Sequence, residues 1–325
     1  MTTILGPMPA PRVACLGEAL IVLVAGRPGP LEESADFERS IGGAELNTAI
    51  GLVAAGIPSA LLTAVGDDGF GRHLVARASQ LGVDTSAVRV DPARATGMYV
   101  KERGGGTGAA TDLPLGASRM HYYRAGSAAS ALGPEYLDEA SVRAILDGVQ
   151  AVHVTGITPA LSPTTLELTR ALRSAAPRAL LAFDANWRPA LWRGREREGA
   201  DVLRELAAGS DLVLLGEEEA RIIVGSDDPD AVRRALPAPR RLVLKHDGGA
   251  VTAFDGPVSR RLRPDAVTIT EAIGAGDAFA AGYLAAILDD GDLDAALAGG
   301  HRLAERVLRS THDHAAHDPA GAVIP

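Results

Sequence analysis

The stretch that decides the fold lies near the C-terminus and reads IGAGD (273–277), followed by AFAAGYLAAIL (278–288). The apolar run VTIT (267–270) before it predicts a strand, the glycines predict a turn, and the alanine-rich run predicts a helix. Because this helix has no polar face through Leu288, we expect it to be buried at the centre of the fold. Its first turn would then present backbone N–H groups and the positive end of the helix dipole to a crevice, which is a site for an anion.

Asp277 is the one residue of this turn with an ionisable side chain. It lies in the first turn of the predicted helix, and Gly274 and Gly276 beside it would let a phosphate approach the backbone closely. One interpretation is a capping aspartate after a glycine turn. The other is a base that accepts the proton of a hydroxyl group, while the backbone amides stabilise charge on a phosphoryl group in transfer. The residues of the turn alone leave both open.

Composition excludes several classes of function. The 325 residues include 32 basic and 41 acidic side chains, a formal net charge of −9, which argues against a general nucleic-acid binder. The single cysteine, Cys15, excludes an intrachain disulfide and a CxxC metal site. No apolar run approaches the roughly 20 residues of a membrane span, and no basic region precedes an apolar one at the N-terminus. We therefore expect a cytoplasmic protein that binds neither nucleic acid nor membrane.

Short apolar runs alternate with helical patterns, which is typical of a parallel sheet with helices on its faces. Buried strands are predicted at 13–17, 59–66, 151–156, 179–184, 211–216 and 241–245. Helices are predicted after Gly43 and at 69–81, 163–174, 197–208 and 217–224. The fold class is therefore α/β, with a central, mostly parallel sheet in a single domain over residues 1–325.

One part of the chain breaks this alternation. TGMYVKERG (96–104) and SRMHYYRAG (118–126) predict strands on either side of the glycine-rich GGGTG (104–108). We interpret GGGTG as a loop, because it lacks the preceding strand and following helix of a dinucleotide-binding turn. We expect residues 96–125, together with about 20–40, to form a small β lid outside the main sheet.

The tail 311–325 is predicted to be flexible. It holds His312, His314 and His317, whose spacing is conceivable for metal ligands, but a polar tail is the simpler interpretation.

Two ordered signatures connect these features to a known family. GAGDAFAAGY (274–283) closely resembles the C-terminal signature of the ribokinase-like (PfkB) carbohydrate kinases, and IGGAELN (41–47) resembles their N-terminal one. AVGDDGFGRHL (64–74) resembles their usual next segment, so the likeness covers about residues 12 to 310. The resemblance implies a ribokinase-like fold with a β lid, ATP as phosphoryl donor and Asp277 as the base. It also implies that the backbone at Gly274, Ala275 and Gly276 holds the transferred charge.

Four further segments are similar to the 2-keto-3-deoxygluconate (KDG) kinases of this family. They are GMY (97–99), YYRAGSA (122–128), TGITPAL (155–161) and DANWRPALW (184–192). KDG carries a carboxylate, whereas ribose and fructose are neutral, and guanidinium groups recognise carboxylates through paired hydrogen bonds. The resemblance therefore implies a substrate site formed by Gly43, Asn47, Tyr99, Tyr122, Arg124 and Arg188. On a strand, Tyr122 and Arg124 would point to the same face.

The resemblance also implies cofactors and partners. Lys245 and Gly248, with Gly274 and Gly276, would lie near the nucleotide, and Glu219 would act on Mg2+ through water. Only Glu219 remains of the family's Asn-x-x-Glu element. Where the family usually has an aspartate before xGAGD, this chain has Glu271, so we expect weak dependence on a monovalent cation. The expected partners are ATP, a sugar acid and further copies of the chain in a homo-oligomer.

Three alternatives remain open at this point. Fructokinases and 5-dehydro-2-deoxygluconokinases share the same signatures, so either activity is an alternative to KDG kinase. A non-catalytic sugar-acid binding protein on the same fold is a third, suggested by Gly216 and Glu271 and opposed by the intact Asp277 with its two glycines.

Overall fold

The computed structural model describes residues 9–264, 267, 272–310 and 314. The strands are β1 Val13–Leu16, β2 Leu20–Ala25, β3 Phe37–Gly42, β4 Ser59–Leu62, β5 Ala64–Gly66, β6 Arg89–Asp91, β7 Met98–Arg103, β8 Ser118–Tyr123, β9 Ala151–Thr155, β10 Leu180–Asp184, β11 Leu212–Gly216, β12 Arg241–Lys245, β13 Val251–Asp255 and β14 Val258–Leu262. The helices are α1 Ala44–Ala54, α2 Gly69–Gln80, α3 Ala140–Leu146, α4 Thr158–Leu161, α5 Pro163–Ala175, α6 Glu196–Ala208, α7 Glu217–Val224, α8 Pro229–Ala235, α9 Ala275–Leu288 and α10 Leu293–Leu308.

The central sheet has eight strands in the order β14-β13-β12-β11-β10-β9-β1-β4. The six strands from β12 to β4 run parallel, and β13 and β14 add an antiparallel hairpin at one edge. Because parallel strands are covered on both faces, they read as continuous apolar runs, which is why the sequence revealed them. The predicted mostly parallel α/β sheet is confirmed.

One predicted strand was wrong. Residues 59–66 form two strands rather than one, since β4 pairs with β1 in the central sheet and β5 pairs with β6 in a separate two-stranded sheet. The chain changes partner at Thr63, and both halves remain buried, so the apolar pattern carries no sign of the break. The edge hairpin of β13 and β14 was not predicted, because β14 is largely exposed and rich in arginine.

The lid is a four-stranded sheet in the order β3-β2-β7-β8. Strand β2 pairs parallel with β7 and antiparallel with β3, and β8 completes the sheet beside β7. The structure thus has the predicted small β sheet outside the main one, with the loop at GGGTG (104–108) between β7 and β8. Its third strand runs to Gly42, slightly beyond the predicted limit.

Helix α9 lies in one of the two main hydrophobic clusters, between α1 and α10. Residues 278–285 are buried, whereas Ala286, Ile287 and Leu288 are only partly buried. Full burial therefore ends about one turn before Leu288, the residue to which it was predicted to extend. Glycines allow the close approach of these helices: a Cβ on Gly51 would lie 2.7 Å from the Cβ of Ala281. Among the described residues, no helix combines the length and apolar character needed to cross a membrane.

The predictions for the strand VTIT (267–270), for Glu271 and for most of the tail are not tested, because residues 268–271 and most of 311–325 lie outside the described residues. Of the three tail histidines only His314 is described, and it is buried.

Candidate active site

A cavity of about 510 Å³ lies between the lid and the carboxyl ends of the central strands. This edge of an open parallel sheet is where ligands bind in α/β proteins. Most of the residues singled out from the sequence line it: Gly43, Asn47, Tyr99, Tyr122, Arg124, Arg188, Glu219, Lys245, Gly274, Gly276 and Asp277. Residues far apart in the chain are therefore brought to one place by the fold.

Two of the predicted residues are not part of the lining. Ala275 is the first residue of α9, directly after Gly274. Gly248 lies in the turn between β12 and β13, where its φ of 79° suits glycine. His246 fixes that turn, since its ring bonds Glu217 over 2.7 Å and Thr252 over 2.8 Å.

Asp277 occupies the first turn of α9 at the floor of the cavity. Nδ2 of Asn47 donates a hydrogen bond to its Oδ2 over 2.9 Å. Burial raises the pKa of Asp277 to about 7, the Asn47 bond opposes this, and the charge of Asp184 adds to it. A carboxyl group with a pKa near neutrality is suited to accept a proton from a hydroxyl.

The turn before Asp277 has the geometry of an anion site. Gly274 adopts the left-handed conformation, with a φ of 80°, and caps α9 at its N-terminus. A Cβ on Gly276 would meet only the ammonium of Lys245, at 3.8 Å, so its backbone is open on the cavity side. The first N–H groups of a helix have no acceptor within the helix, and the helix dipole adds positive potential there.

Lys245 brings a cation to the same place. It ends β12, and its Nζ lies 3.1 and 3.3 Å from the two carboxylate oxygens of Asp184 at the end of β10. Burial alone would lower the pKa of Lys245, but the charges of Asp184 and Glu219 raise it. The lysine therefore stays protonated at neutral pH and lies beside the anion turn.

Glu219 is held by backbone amides. Its two oxygens accept hydrogen bonds from the N–H of Trp187, at 2.8 Å, and of Gly216, at 2.6 Å. Burial raises its pKa, and the charge of Lys245 opposes this. Besides any ligand role, Glu219 thus ties the start of α7 to the loop after β10.

The loop after β10, residues 185–188, contains a residue with a strained backbone conformation. Asn186 has a φ of 40°, which is unusual for a residue with a side chain, and its Oδ1 is buried without a hydrogen-bond partner. Both Asn186 and Arg188 line the cavity. Strain of this kind persists where the surroundings impose it, and it is common at ligand sites.

The two arginines differ in environment. Arg188 is exposed at the cavity and donates to the carbonyl of Trp187 over 3.2 Å. Arg124 packs over the ring of Tyr122, with its guanidinium carbon 4.1 Å from the ring centroid, and Tyr122 lies against Tyr99. Nη1 of Arg124 donates to Oε2 of Glu18 over 2.7 Å. Arg124 is thus already paired with a carboxylate of the chain.

Sequence reasoning missed four polar residues of the lining: Glu18, Glu45, Asp184 and Asn186. A signal was available for two of them, because Glu18 follows the first predicted strand and Asp184 ends another at the ligand-binding edge of the sheet. Glu45 lies in the first turn of α1, and one of its oxygens accepts hydrogen bonds from Thr155 and Thr158. Burial raises its pKa, and those bonds oppose the shift.

The donor set suits Mg2+ held largely through water. Among the residues described, no group of three or more His, Cys, Asp or Glu side chains is arranged to hold a metal. Mg2+ prefers oxygen ligands, keeps several waters and commonly takes only one or two carboxylates together with substrate phosphates. Asp184 and Glu219, two carboxylates near the anion turn, fit that requirement.

The sequence and the fold of the chain are similar to those of known proteins. Residues 10–318 match the pfkB family carbohydrate kinases. A 2-dehydro-3-deoxygluconokinase of Thermoproteus tenax is 36% identical over 278 residues, covering 85% of this chain and 81% of the relative. A 5-dehydro-2-deoxygluconokinase of Clostridium perfringens is 27% identical over 291 residues, or 86% and 82% of the two chains. The crystal structure of a PfkB protein from Polaromonas sp. JS666 superposes with a TM-score of 0.82 at 32% identity, covering 93% of this chain and 97% of the other.

Proposed function

Because the chain belongs to the PfkB family of carbohydrate kinases, we propose that it phosphorylates KDG, which is 2-dehydro-3-deoxygluconate. The γ-phosphoryl group of ATP is transferred to the terminal primary hydroxyl, giving 2-keto-3-deoxy-6-phosphogluconate and ADP. The observation that carries the proposal is the cavity in which Asp277, the glycine turn and two arginines meet.

Asp277 is the base of the proposed reaction. Its carboxylate accepts the proton of the C6 hydroxyl while the oxygen forms a bond to the γ-phosphorus, and the bond from that phosphorus to the β,γ-bridging oxygen breaks. The electron pair of that bond leaves with ADP. The N–H groups at the start of α9, with Gly274 and Gly276 in the turn, donate to the charged oxygens of the phosphoryl group in transfer.

Lys245 and Glu219 serve the nucleotide end of the cavity. The ammonium of Lys245 lies close to Gly276 and can attract the phosphates. Asp184 and Glu219 would hold Mg2+ through water. When bound, that ion neutralises part of the charge on the phosphate oxygens.

The substrate class rests on the charged residues. The cavity contains Arg124 and Arg188, whereas a neutral sugar needs no cation. Gly43, Asn47, Tyr99 and Tyr122 line the same cavity and would hold the carbon chain. The name of the relative from Thermoproteus tenax agrees with a sugar acid of this type.

Two alternative substrates come from the same family. Among the similar proteins are the 5-dehydro-2-deoxygluconokinase already mentioned and a probable fructokinase of Arabidopsis thaliana. 5-Dehydro-2-deoxygluconate carries a carboxylate that could also pair with an arginine, whereas fructose carries none. The comparisons do not support the third alternative, a binding protein without kinase activity.

The experiment is a coupled assay of ADP formation with KDG, 5-dehydro-2-deoxygluconate, fructose and ribose. We expect KDG to give the highest kcat/KM, and equal values for fructose and KDG would contradict the sugar-acid assignment. Asp277→Asn keeps the shape and removes the base, so kcat should fall by about 10²–10⁴ while sugar binding persists. A folded variant with nearly normal turnover would show that Asp277 is not the base.

A further inference from the structure

Glu18 lies at the joint where the lid leaves the core. It sits between β1 and β2, and the other three chain crossings between core and lid approach it. A Cβ on Gly43 would collide with its carbonyl oxygen, and a Cβ on Gly97 would lie 3.3 Å from Oε1. Arg124, directly after β8, donates to Oε2 over 2.7 Å. Glu18 is therefore fixed from several sides.

The Glu18–Arg124 pair is largely closed to water. The side chain of Arg124 is 10% exposed and that of Glu18 is 1% exposed. Burial raises the pKa of Glu18 to about 7 and the charge of Arg124 opposes the shift, so Glu18 compensates the charge of Arg124 above about pH 7, where the assays below are made. A substrate carboxylate bound to Arg124 would stand close to a second carboxylate in a poorly solvated place, where like charges repel strongly.

Arg188 is in the opposite situation. Within the part of the chain that the structure describes, it has no carboxylate partner, and its guanidinium donates only to the carbonyl of Trp187. It lines the cavity, and its charge lowers the pKa of Asp277. The positive charge of Arg188 is thus available to a ligand, whereas that of Arg124 is compensated.

Building on the proposed function, we propose that Glu18 is a positioning residue that determines which arginine binds the substrate carboxylate. By neutralising Arg124 and holding it over Tyr122, Glu18 leaves Arg188 as the carboxylate receptor. The remaining N–H groups of Arg124 then bind uncharged oxygens of the substrate, such as the keto oxygen and hydroxyls.

The test compares KDG with 3-deoxyfructose, which carries a CH2OH group in place of the carboxylate. The measured quantity is the ratio of kcat/KM for KDG to kcat/KM for 3-deoxyfructose. Arg188→Leu should lower this ratio about tenfold or more, because a charged hydrogen bond is lost for KDG alone. Arg124→Leu should lower kcat/KM for both substrates and leave their ratio within about threefold of the wild-type value.

The double variant Glu18→Gln with Arg188→Leu gives the decisive result. Glutamine keeps the shape of Glu18 but frees the charge of Arg124, so the ratio should recover at least about threefold relative to Arg188→Leu alone. The double variant Glu18→Asp with Arg188→Leu keeps the negative charge beside Arg124, so its ratio should stay at the value of Arg188→Leu alone. If Glu18 had only a structural role, its replacement by glutamine would not restore the preference for KDG in the Arg188→Leu variant. Should the double variant unfold, calorimetry on Glu18→Gln alone should show stronger relative binding of KDG than in the wild type.

Three outcomes would overturn the inference. In the first, the ratio of kcat/KM for KDG to that for 3-deoxyfructose falls in Arg124→Leu but not in Arg188→Leu. In the second, this ratio is the same in Arg188→Leu and in the double variant Glu18→Gln with Arg188→Leu. Both leave the proposed function standing, provided that the wild type prefers KDG. A wild-type ratio near one overturns the proposed function, and this inference with it.

Discussion

The side-chain amide of Asn47 donates to the carboxylate of Asp277 over 2.9 Å, and this bond joins helix α1 to helix α9 at the floor of the cavity. Sequence similarity assigned Asn47 to the substrate. In the structure its Nδ2 is directed to the base, so Asn47 can orient Asp277 as well as contact a sugar. The bond also favours the ionised carboxylate, and its removal is therefore measurable as a pH effect.

The first prediction concerns that pH effect. Because burial raises the pKa of Asp277 to about 7 and the base must be ionised, kcat/KM should rise with pH through about 7. Asn47→Ala removes an interaction that lowers this pKa, so the rising limb should move to higher pH.

Thr48→Val is the matched control for Asn47→Ala. The hydroxyl of Thr48 donates to the backbone carbonyl of Asp277 over 3.4 Å and not to its carboxylate, so the loss of this hydroxyl should leave the limb in place. An unmoved limb in Asn47→Ala, measured as the pH profile of kcat/KM, would contradict the assignment.

The second prediction concerns the Asp184–Lys245 pair. Lys245→Met leaves the carboxylate of Asp184 buried without its partner and should lower the free energy of unfolding by about 3 kcal/mol. The double variant with Asp184→Asn removes both charges and should recover most of that loss. Urea unfolding measures both values, and additive losses in the double variant would show that the two charges do not stabilise each other.

The third prediction concerns the packing of α9 against α10. A Cβ on Gly282 would lie 2.7 Å from the carbonyl carbon of Gly299 and 3.0 Å from the N of Gly300, so Gly282→Ala must push the helices apart. The cost should be about 1–3 kcal/mol in the free energy of unfolding.

Gly69→Ala provides the control for the helix-packing prediction. Gly69 begins α2 with nothing within 4 Å of a built Cβ, and the change should stabilise by about 0.4–1 kcal/mol. Equal effects of the two substitutions on urea unfolding would contradict the packing argument.

The fourth prediction concerns monovalent cations and rests on the sequence, since Glu271 lies outside the described residues. The side chain of Glu271 is one methylene longer than that of the aspartate usual in the family, and we expect the longer side chain to disturb the binding of a monovalent cation there. Rates in potassium and in tetramethylammonium salts should therefore be similar. A stimulation of about tenfold, worth about 1.4 kcal/mol of activation free energy, would contradict this.

The parts of the fold that the sequence predicted are those with a local signal. Buried parallel strands such as β9 and β11 read as short apolar runs, and α1 follows directly from the spacing of its apolar residues. The change of sheet at Thr63 could not be predicted, because it depends on which distant strands pair with β4 and β5 rather than on their composition.

The same distinction applies to the site. Asp277 and its glycines were found because they are contiguous, and Arg124 was found by resemblance to a family. The partner of Arg124 was not found, because Glu18 lies 106 residues away and only the fold brings the two together. Charge compensation is a tertiary property, so it changes the expected role of a residue that was itself identified correctly.

The position of β1 inside the central sheet has a consequence during synthesis of the chain. One edge of β1 pairs with β4, which follows it closely in the chain, but the other edge pairs with β9, which is made only when almost half of the chain exists. Until β9 is made, one edge of the apolar strand Val13–Leu16 has backbone N–H and C=O groups without a strand partner, and these groups can pair with another nascent chain. Fragments that stop before Ala151 should therefore aggregate, and productive folding of the N-terminal half must wait for the middle of the sequence.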